Sequence, residues 1–259
     1  MSSISTNNYI SSSLSSAENA ASNKNLGVVE VYFAKIKDIS SEYSRLKNYF
    51  DNRDKLNSDK LHFEEDRDTY LFCHTLLRLI LMKKFITDTS EITIINDGKS
   101  KPRLEGDPLF FNISHTRDAF AFAISRYYEV GIDIEKVDRS IDFKSITGKF
   151  FSRAESSFIL DSPDDSRNRF FLLWTRKEAL LKAMGTGIIS DLSHFEIFRK
   201  KNLINRKSCE KMIDGSEFFD HFIYSKKILK YYLSVAVPQK TKILLHKLNV
   251  EKVKSFYVE

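Results

Sequence analysis

Gly131-Ile132-Asp133-Ile134-Glu135 is the stretch on which the fold turns. Apolar, β-branched residues alternate with acids, the period-two pattern of a strand buried on one face. Ile132 and Ile134 would enter a core, while Asp133 and Glu135 would project together, about 7 Å apart along the backbone. Carboxylates held that close repel one another unless a cation lies between them. Oxygen ligands of this kind suit a hard ion, Mg2+ or Mn2+. A solvated strand face with two acids explains the same pentapeptide, and taken alone the five residues favour that plainer account.

Working outward, Ser152-Arg-Ala-Glu155 has the capping-box pattern that opens a helix. The next helix is expected to take Ser162 as N-cap and Pro163 as its first residue, and to stop at Gly185. Upstream, Gly27-Val-Val-Glu-Val-Tyr-Phe33 reads as a strand, and about Asp66 to Phe85 as a helix, with Tyr70, Leu71, Leu77, Leu81 and Phe85 at helical spacing. Gly27 and Gly131 lie 104 residues apart, as do Leu76-Leu77-Arg78 and Leu180-Leu181-Lys182. Two short matches also arise by chance. Taken as a duplication, they predict an α+β fold of two similar halves related by a pseudo-twofold, with a ligand between them. The expected boundaries are a flexible tail over 1–25, an N-terminal half over 26–128 and a C-terminal half over 129–259 carrying the metal site. Leu109 to Ile113 and Ala119 to Ile124 read as strands of a meander whose turn lies within 112–118.

Composition narrows the classes. The chain has 259 residues, 42% of them hydrophobic, with 21 Phe and 11 Tyr, enough for a sizeable core. Residues 1–25, dominated by Ser, Asn and Ala, lack the basic start and apolar run of a secretory signal. No stretch approaches the roughly 18 apolar residues of a membrane span, since Arg78 interrupts Leu76 to Met82. Cys73 and Cys209 stand in no zinc or redox spacing, which favours a reducing cytoplasm. A net charge of +6 favours acidic partners. Basic and aromatic residues do not interleave as in a nucleic-acid reader, so neither nucleic acid nor membrane is expected as a partner.

Two further groups of residues bear on chemistry. In Trp174-Thr-Arg-Lys177-Glu178-Ala-Leu-Leu-Lys182, a helix would put Trp174, Glu178 and Lys182 on one side, one turn apart. An ordinary amphipathic helix with a Glu–Lys pair reads equally well. Lys99-Ser-Lys101-Pro102 and Asn112-Ile-Ser114-His115, read as loops, offer cations and a hydroxyl to phosphate oxygens. A lone Ser-His pair is more often a turn, and no carboxylate at useful spacing completes a hydrolase triad.

The order of these motifs, Lys-Pro, Phe-Asn-Ile-Ser-His, Gly-Ile-Asp-Ile-Glu and Trp-x-x-Lys-Glu-Ala-x-x-Lys, spans residues 101 to 182. It resembles the 4′-phosphopantetheinyl transferase family, in particular the larger, two-halved type that activates peptide and polyketide synthetases. The resemblance implies transfer of phosphopantetheine from coenzyme A, as substrate, to a serine of an acyl or peptidyl carrier protein domain by a monomeric, cytoplasmic, Mg2+-dependent enzyme. Asp133, Glu135 and Glu178 match the family's metal-binding acids. Glu178 also matches its proposed base, and Lys182 the lysine that steadies the departing phosphate. Lys101, Ser114 and His115 match positions that touch the coenzyme's phosphates. Two residues more than usual separate Gly98 from Lys101-Pro102, so Lys99 competes for the role given to Lys101. Residues for the coenzyme's 3′-phosphate do not align; Lys55, Lys60 and Arg67 are candidates without a motif. The family's carriers present an acidic helix, for which Arg199, Lys200, Lys201, Arg206 and Lys207 are a candidate surface. A different metal-dependent phosphate-handling enzyme, or a coenzyme A-binding protein without transfer activity, is the alternative.

Overall fold

The computed structural model describes residues 27–85, 92–95, 101–106, 109–185, 192–197, 203–204 and 221–257. The tail, Lys99, Cys209 and the basic positions from Arg199 to Lys207 lie outside the described residues. The chain runs β1 (Val28–Lys35), α1 (Tyr43–Leu46), α2 (Asn52–Ser58), α3 (Glu64–Lys84), β2 (Ile94–Ile95), β3 (Arg103–Leu104), β4 (Phe110–Thr116) and β5 (Ala119–Ser125). It continues through β6 (Gly131–Lys136), α4 (Phe143–Phe150), α5 (Arg153–Leu160), α6 (Ser166–Met184), β7 (Phe195–Glu196) and β8 (Leu203–Ile204). Last come β9 (Phe222–Ile228), β10 (Tyr231–Val237), β11 (Lys242–Lys247) and α7 (Val250–Lys254). The fold is mixed α+β. None of its described helices is long and apolar enough to cross a membrane.

Two sheets carry the architecture, one in the order β11-β1-β5-β4 and the other β6-β10-β9. All their pairings are antiparallel except that of β11 with β1, which brings the end of the chain back to the first sheet. Strand alternation sorts the core. Tyr32, Phe120 and Phe122 pack with Leu76, Leu77 and Ile80 of α3. Val29, Val31, Ala121 and Ala123, from the opposite face, pack with Ile132, Ile134, Leu233 and Val235 of the second sheet. Helix α6 covers the far face of that sheet, with Ala179 and Ala183 against Ala236. The layers are therefore helix, sheet, sheet, helix.

Gly131 sets how closely α6 approaches β6. A β-carbon there would fall 2.0 Å from the Ala179 carbonyl oxygen and 2.3 Å from the Ala183 nitrogen, both main-chain atoms. Only glycine allows that approach. It draws the helix down onto the strand face that carries Asp133 and Glu135.

The helical ends differ in detail from the expectation. The capping box of Ser152 and Glu155 is present, and Gly185 ends α6 at φ 67°. Helix α6 begins at Ser166, however, not at Pro163. Residues 162–165 form a turn closed by the Asp165 N–H on the Ser162 carbonyl at 3.0 Å, which reverses the chain between α5 and α6. Helix α3 starts two residues before Asp66, where Glu64, Glu65 and Asp66 complement the dipole of its first turn. Ser114 and His115 lie in strand β4, not in a loop. Thr116 pairs with Ala119, leaving a two-residue turn at Arg117-Asp118.

Candidate active site

Gly131, Asp133 and Glu135 share the face of β6 that looks at α6, and Trp174, Glu178 and Lys182 lie along one stripe of that helix. Asp133 is buried, 4% exposed. Its Oδ1 accepts the Lys182 Nζ at 2.7 Å and the Ser114 hydroxyl at 2.9 Å. Its Oδ2 is buried with no hydrogen-bond partner. Burial, then the charges of Asp133 and Glu178, pushes the Glu135 carboxyl up to about 8, although Lys182 and the Trp174 indole N–H oppose the shift. Burial and Asp133 likewise raise Glu178, against Lys182.

Among the described residues no three acids, histidines or cysteines stand as a finished metal-ligand set. The chemistry of the donors nonetheless fits a hard cation. One buried carboxylate oxygen has no partner, and beyond burial the charge of Asp133 disfavours the ionised forms of Glu135 and Glu178, with Lys182 as the cation that opposes it.

The remaining sequence candidates are dispersed. Lys101 donates to the Val130 carbonyl at 2.6 Å and pairs with Glu129, at the entrance to β6 rather than on the acids. Burial lowers its pKa, against the pull of Glu129. His115 projects from β4 on the side opposite Ser114, edge-on to Tyr70 with 6.4 Å between ring centroids. Desolvation of its ring, then the charges of His74 and Lys182, lower its pKa. Lys55, Lys60 and Arg67 bond to Asn52, Asn57 and the Leu61 carbonyl, all within a few residues of themselves.

Sequence reasoning missed Asp54 of α2. It pairs with Arg78 and, at 3.4 Å, with His74 Nδ1. Burial works to raise Asp54, but those two partners outweigh it and hold the group down at about 2. It also gave no role to Asn112, whose Oδ1 accepts the Ile132 N–H at 2.9 Å.

The family model described as the 4′-phosphopantetheinyl transferase superfamily matches residues 129–235, the span that carries β6 and α6. Over 161 residues the chain is 30% identical to the 4′-phosphopantetheinyl transferase psf-1 of Bacillus pumilus, covering 61% of this chain and 68% of that one. This chain belongs to the 4′-phosphopantetheinyl transferase superfamily. It is also 30% identical to the transferase HetI of Nostoc sp. over 145 residues, 54% of this chain and 61% of HetI. Against Sfp of Bacillus subtilis the identity is 30% over 140 residues, 53% of this chain and 61% of Sfp. The chain thus spans about three fifths of the length of most of these curated phosphopantetheinyl transferases.

Within this superfamily member, the raised Glu135 pKa has a consequence for cation binding. Between the ordinary 4.5 and about 8, the folded metal-free protein keeps a proton that the unfolded chain gives up. That contribution to stability is complete below 4.5 and is lost as pH rises through about 8. A cation held by Glu135 would favour the ionised carboxylate, and its binding would expel the proton. Calorimetry of Mg2+ binding at pH 7, in buffers of different ionisation enthalpy, should show proton release and an affinity that rises with pH. Binding without proton release would mean that Glu135 is already ionised or takes no part.

Proposed function

We propose that this chain transfers the 4′-phosphopantetheine group of coenzyme A to a serine hydroxyl of an apo carrier protein. The observation that carries the reading is the meeting of Asp133, Glu135, Glu178 and Lys182 at one place on β6 and α6. The serine oxygen bonds to the β-phosphorus of the coenzyme's pyrophosphate. The bond from that phosphorus to the bridging oxygen breaks, and adenosine 3′,5′-bisphosphate leaves. Glu178, whose pKa is raised, accepts the serine proton. Lys182 shifts from Asp133 toward the leaving phosphate and offsets the charge gathering there. Asp133, Glu135 and Glu178 would hold Mg2+, which withdraws charge from the pyrophosphate when bound. His115 is the phosphate contact of the first sheet. Lys101 approaches the phosphates only by leaving Glu129.

We also infer two related halves meeting at this site. The strand orders β1-β5-β4 and β6-β10-β9 correspond, with α3 matching α6. From β4 to β9 and from β5 to β10 the offset is 112 residues at both ends of each strand, against 104 at the two glycines. The eight-residue difference falls between the long helices and the hairpins, where insertions are readily accommodated.

Incubating a panel of apo carriers with coenzyme A and Mg2+, and weighing each intact, identifies the carrier and tests the reading. No mass gain on any carrier that a known transferase loads would reject it.

A carrier that offers an acidic helix needs a basic partner surface. Among the described residues, a cleft of about 950 Å3 at the start of α6 and the β9–β10 turn brings Arg139, Lys144, Lys227 and Lys230 together. Asp164 is its one acid. Leu160 and Leu229, 43% and 71% exposed, supply apolar contacts. Replacing Arg139, Lys144 and Lys227 with Gln should raise KM for the carrier several-fold and steepen no other parameter. An equal rise in KM for coenzyme A would assign the cleft to the coenzyme instead.

A further inference from the structure

Strand β6 is an edge strand. Among the described residues it pairs only with β10, so its outward N–H groups lack a ladder partner. Buried N–H groups rarely stay unpaired, because the loss of water costs more than the bond is worth. Here two side chains of β4 take the place of a neighbouring strand. Asn112 Oδ1 accepts the Ile132 N–H at 2.9 Å, and Ser114 Oγ accepts the Ile134 N–H at 3.2 Å. Both residues are 7% exposed. Their spacing of two matches that of the N–H groups they satisfy, so β4 and β6 are locked in one register.

The Ser114 hydroxyl has a second and a third partner. Lys182 Nζ donates to it at 3.1 Å, and it lies 2.9 Å from Asp133 Oδ1. A serine oxygen has one proton and two lone pairs. The Ile134 N–H and the Lys182 ammonium are donors and occupy the lone pairs. The single proton therefore goes to Asp133, the one acceptor among these partners. Ionised phosphate oxygens only accept. If Lys182 moves to a phosphate, the lone pair it vacates still offers a phosphate oxygen nothing.

We propose that Ser114 is a positioning residue for Asp133 and not a ligand of the coenzyme, with Asn112 holding the strand register on which that depends. The inference rests on the transfer function proposed above. Ser114 fixes the rotamer of Asp133 by holding Oδ1, which leaves the unpartnered Oδ2 directed to the cation. Partners that orient a metal ligand in this way typically account for about 10–100-fold in metal affinity.

The test separates the cation from the coenzyme in the full-length protein. Mn2+ binding is read by electron paramagnetic resonance with saturating coenzyme A, and coenzyme A binding by calorimetry in EDTA. Ser114→Ala should weaken Mn2+ binding at least about ten-fold and leave metal-free coenzyme affinity at the parental value. Ser114→Thr, which keeps the hydroxyl, should restore Mn2+ affinity. Should the alanine variant lose its fold, Ser114→Cys keeps the volume while donating weakly, and carries the same comparison. Unchanged Mn2+ binding, or a ten-fold loss of coenzyme affinity in EDTA, overturns the assignment. A parent protein that binds neither probe fails the proposed function itself, a result distinct from either.

Discussion

Asp133→Ala should lower phosphopantetheine transfer by at least roughly a thousand-fold, the scale on which losing a preorganised electrostatic contact at the reacting group acts, and leave the melting temperature unchanged or slightly higher. Asp133 is the most buried of the three acids and the only one with a buried carboxylate oxygen that has no hydrogen-bond partner. Under the proposed function, its loss would remove the central oxygen donor for the cation. The folded state tolerates it for two reasons. The side chain of Lys182 is 31% exposed and can turn to water when its partner is gone. Removing Asp133 also relieves the repulsion that adds to burial in raising Glu135 and Glu178. Activity and stability should therefore part company, as they commonly do at sites built for function. A variant that keeps Mg2+-dependent turnover would remove Asp133 from the mechanism. One that fails to fold would make it a structural acid.

The largest expected loss of stability lies one residue away from the site's own helix stripe. Lys177 Nζ is 2.8 Å from Glu155 Oε2, and both side chains are fully buried. Lys177 also donates to the Leu192 carbonyl at 2.7 Å. Glu155 accepts the Ile197 N–H at 2.8 Å and the Ser152 N–H at 3.0 Å. The pair thus pins α5, α6 and the segment following α6 together. Lys177→Met would leave a carboxylate without its counter-charge in the core, which typically costs about 3–5 kcal/mol. Denaturant unfolding should show that loss, and adding Glu155→Leu should recover part of it, since two apolar side chains leave no unpaired charge. A single variant as stable as the parent would show that the pair contributes nothing to the stability of the fold.

Lys177 also marks the limit of what the sequence discloses. The capping box of Ser152 and Glu155 was legible, because its partners lie three residues apart. The tertiary partner of Glu155 lies 22 residues further on, at a position whose neighbour, Glu178, belongs to the site. Helical spacing separates Lys177 from the stripe of Trp174, Glu178 and Lys182, yet says nothing of what it meets. The same holds for β4. Alternation within Gly131-Ile-Asp-Ile-Glu135 disclosed a strand and the face that carries its acids. That β6 would be an edge, with Asn112 and Ser114 standing in for a missing strand, depends on topology that no local pattern encodes. Ser114 and His115 read as a loop because a short polar run between apolar segments usually is one; pairing with β5 makes it strand. The Asp54, His74 and Arg78 cluster escaped for a like reason, its members being brought together only by the packing of α2 on α3.

The central claim is tested most directly by the products of one incubation. Apo carrier, coenzyme A, Mg2+ and the full-length protein should yield carrier heavier by one phosphopantetheine, carried on its serine, with an equal amount of adenosine 3′,5′-bisphosphate. EDTA should stop both, and added Mg2+ should restart both together. Bisphosphate released without modified carrier, or carrier modified at full rate in EDTA, would contradict the account.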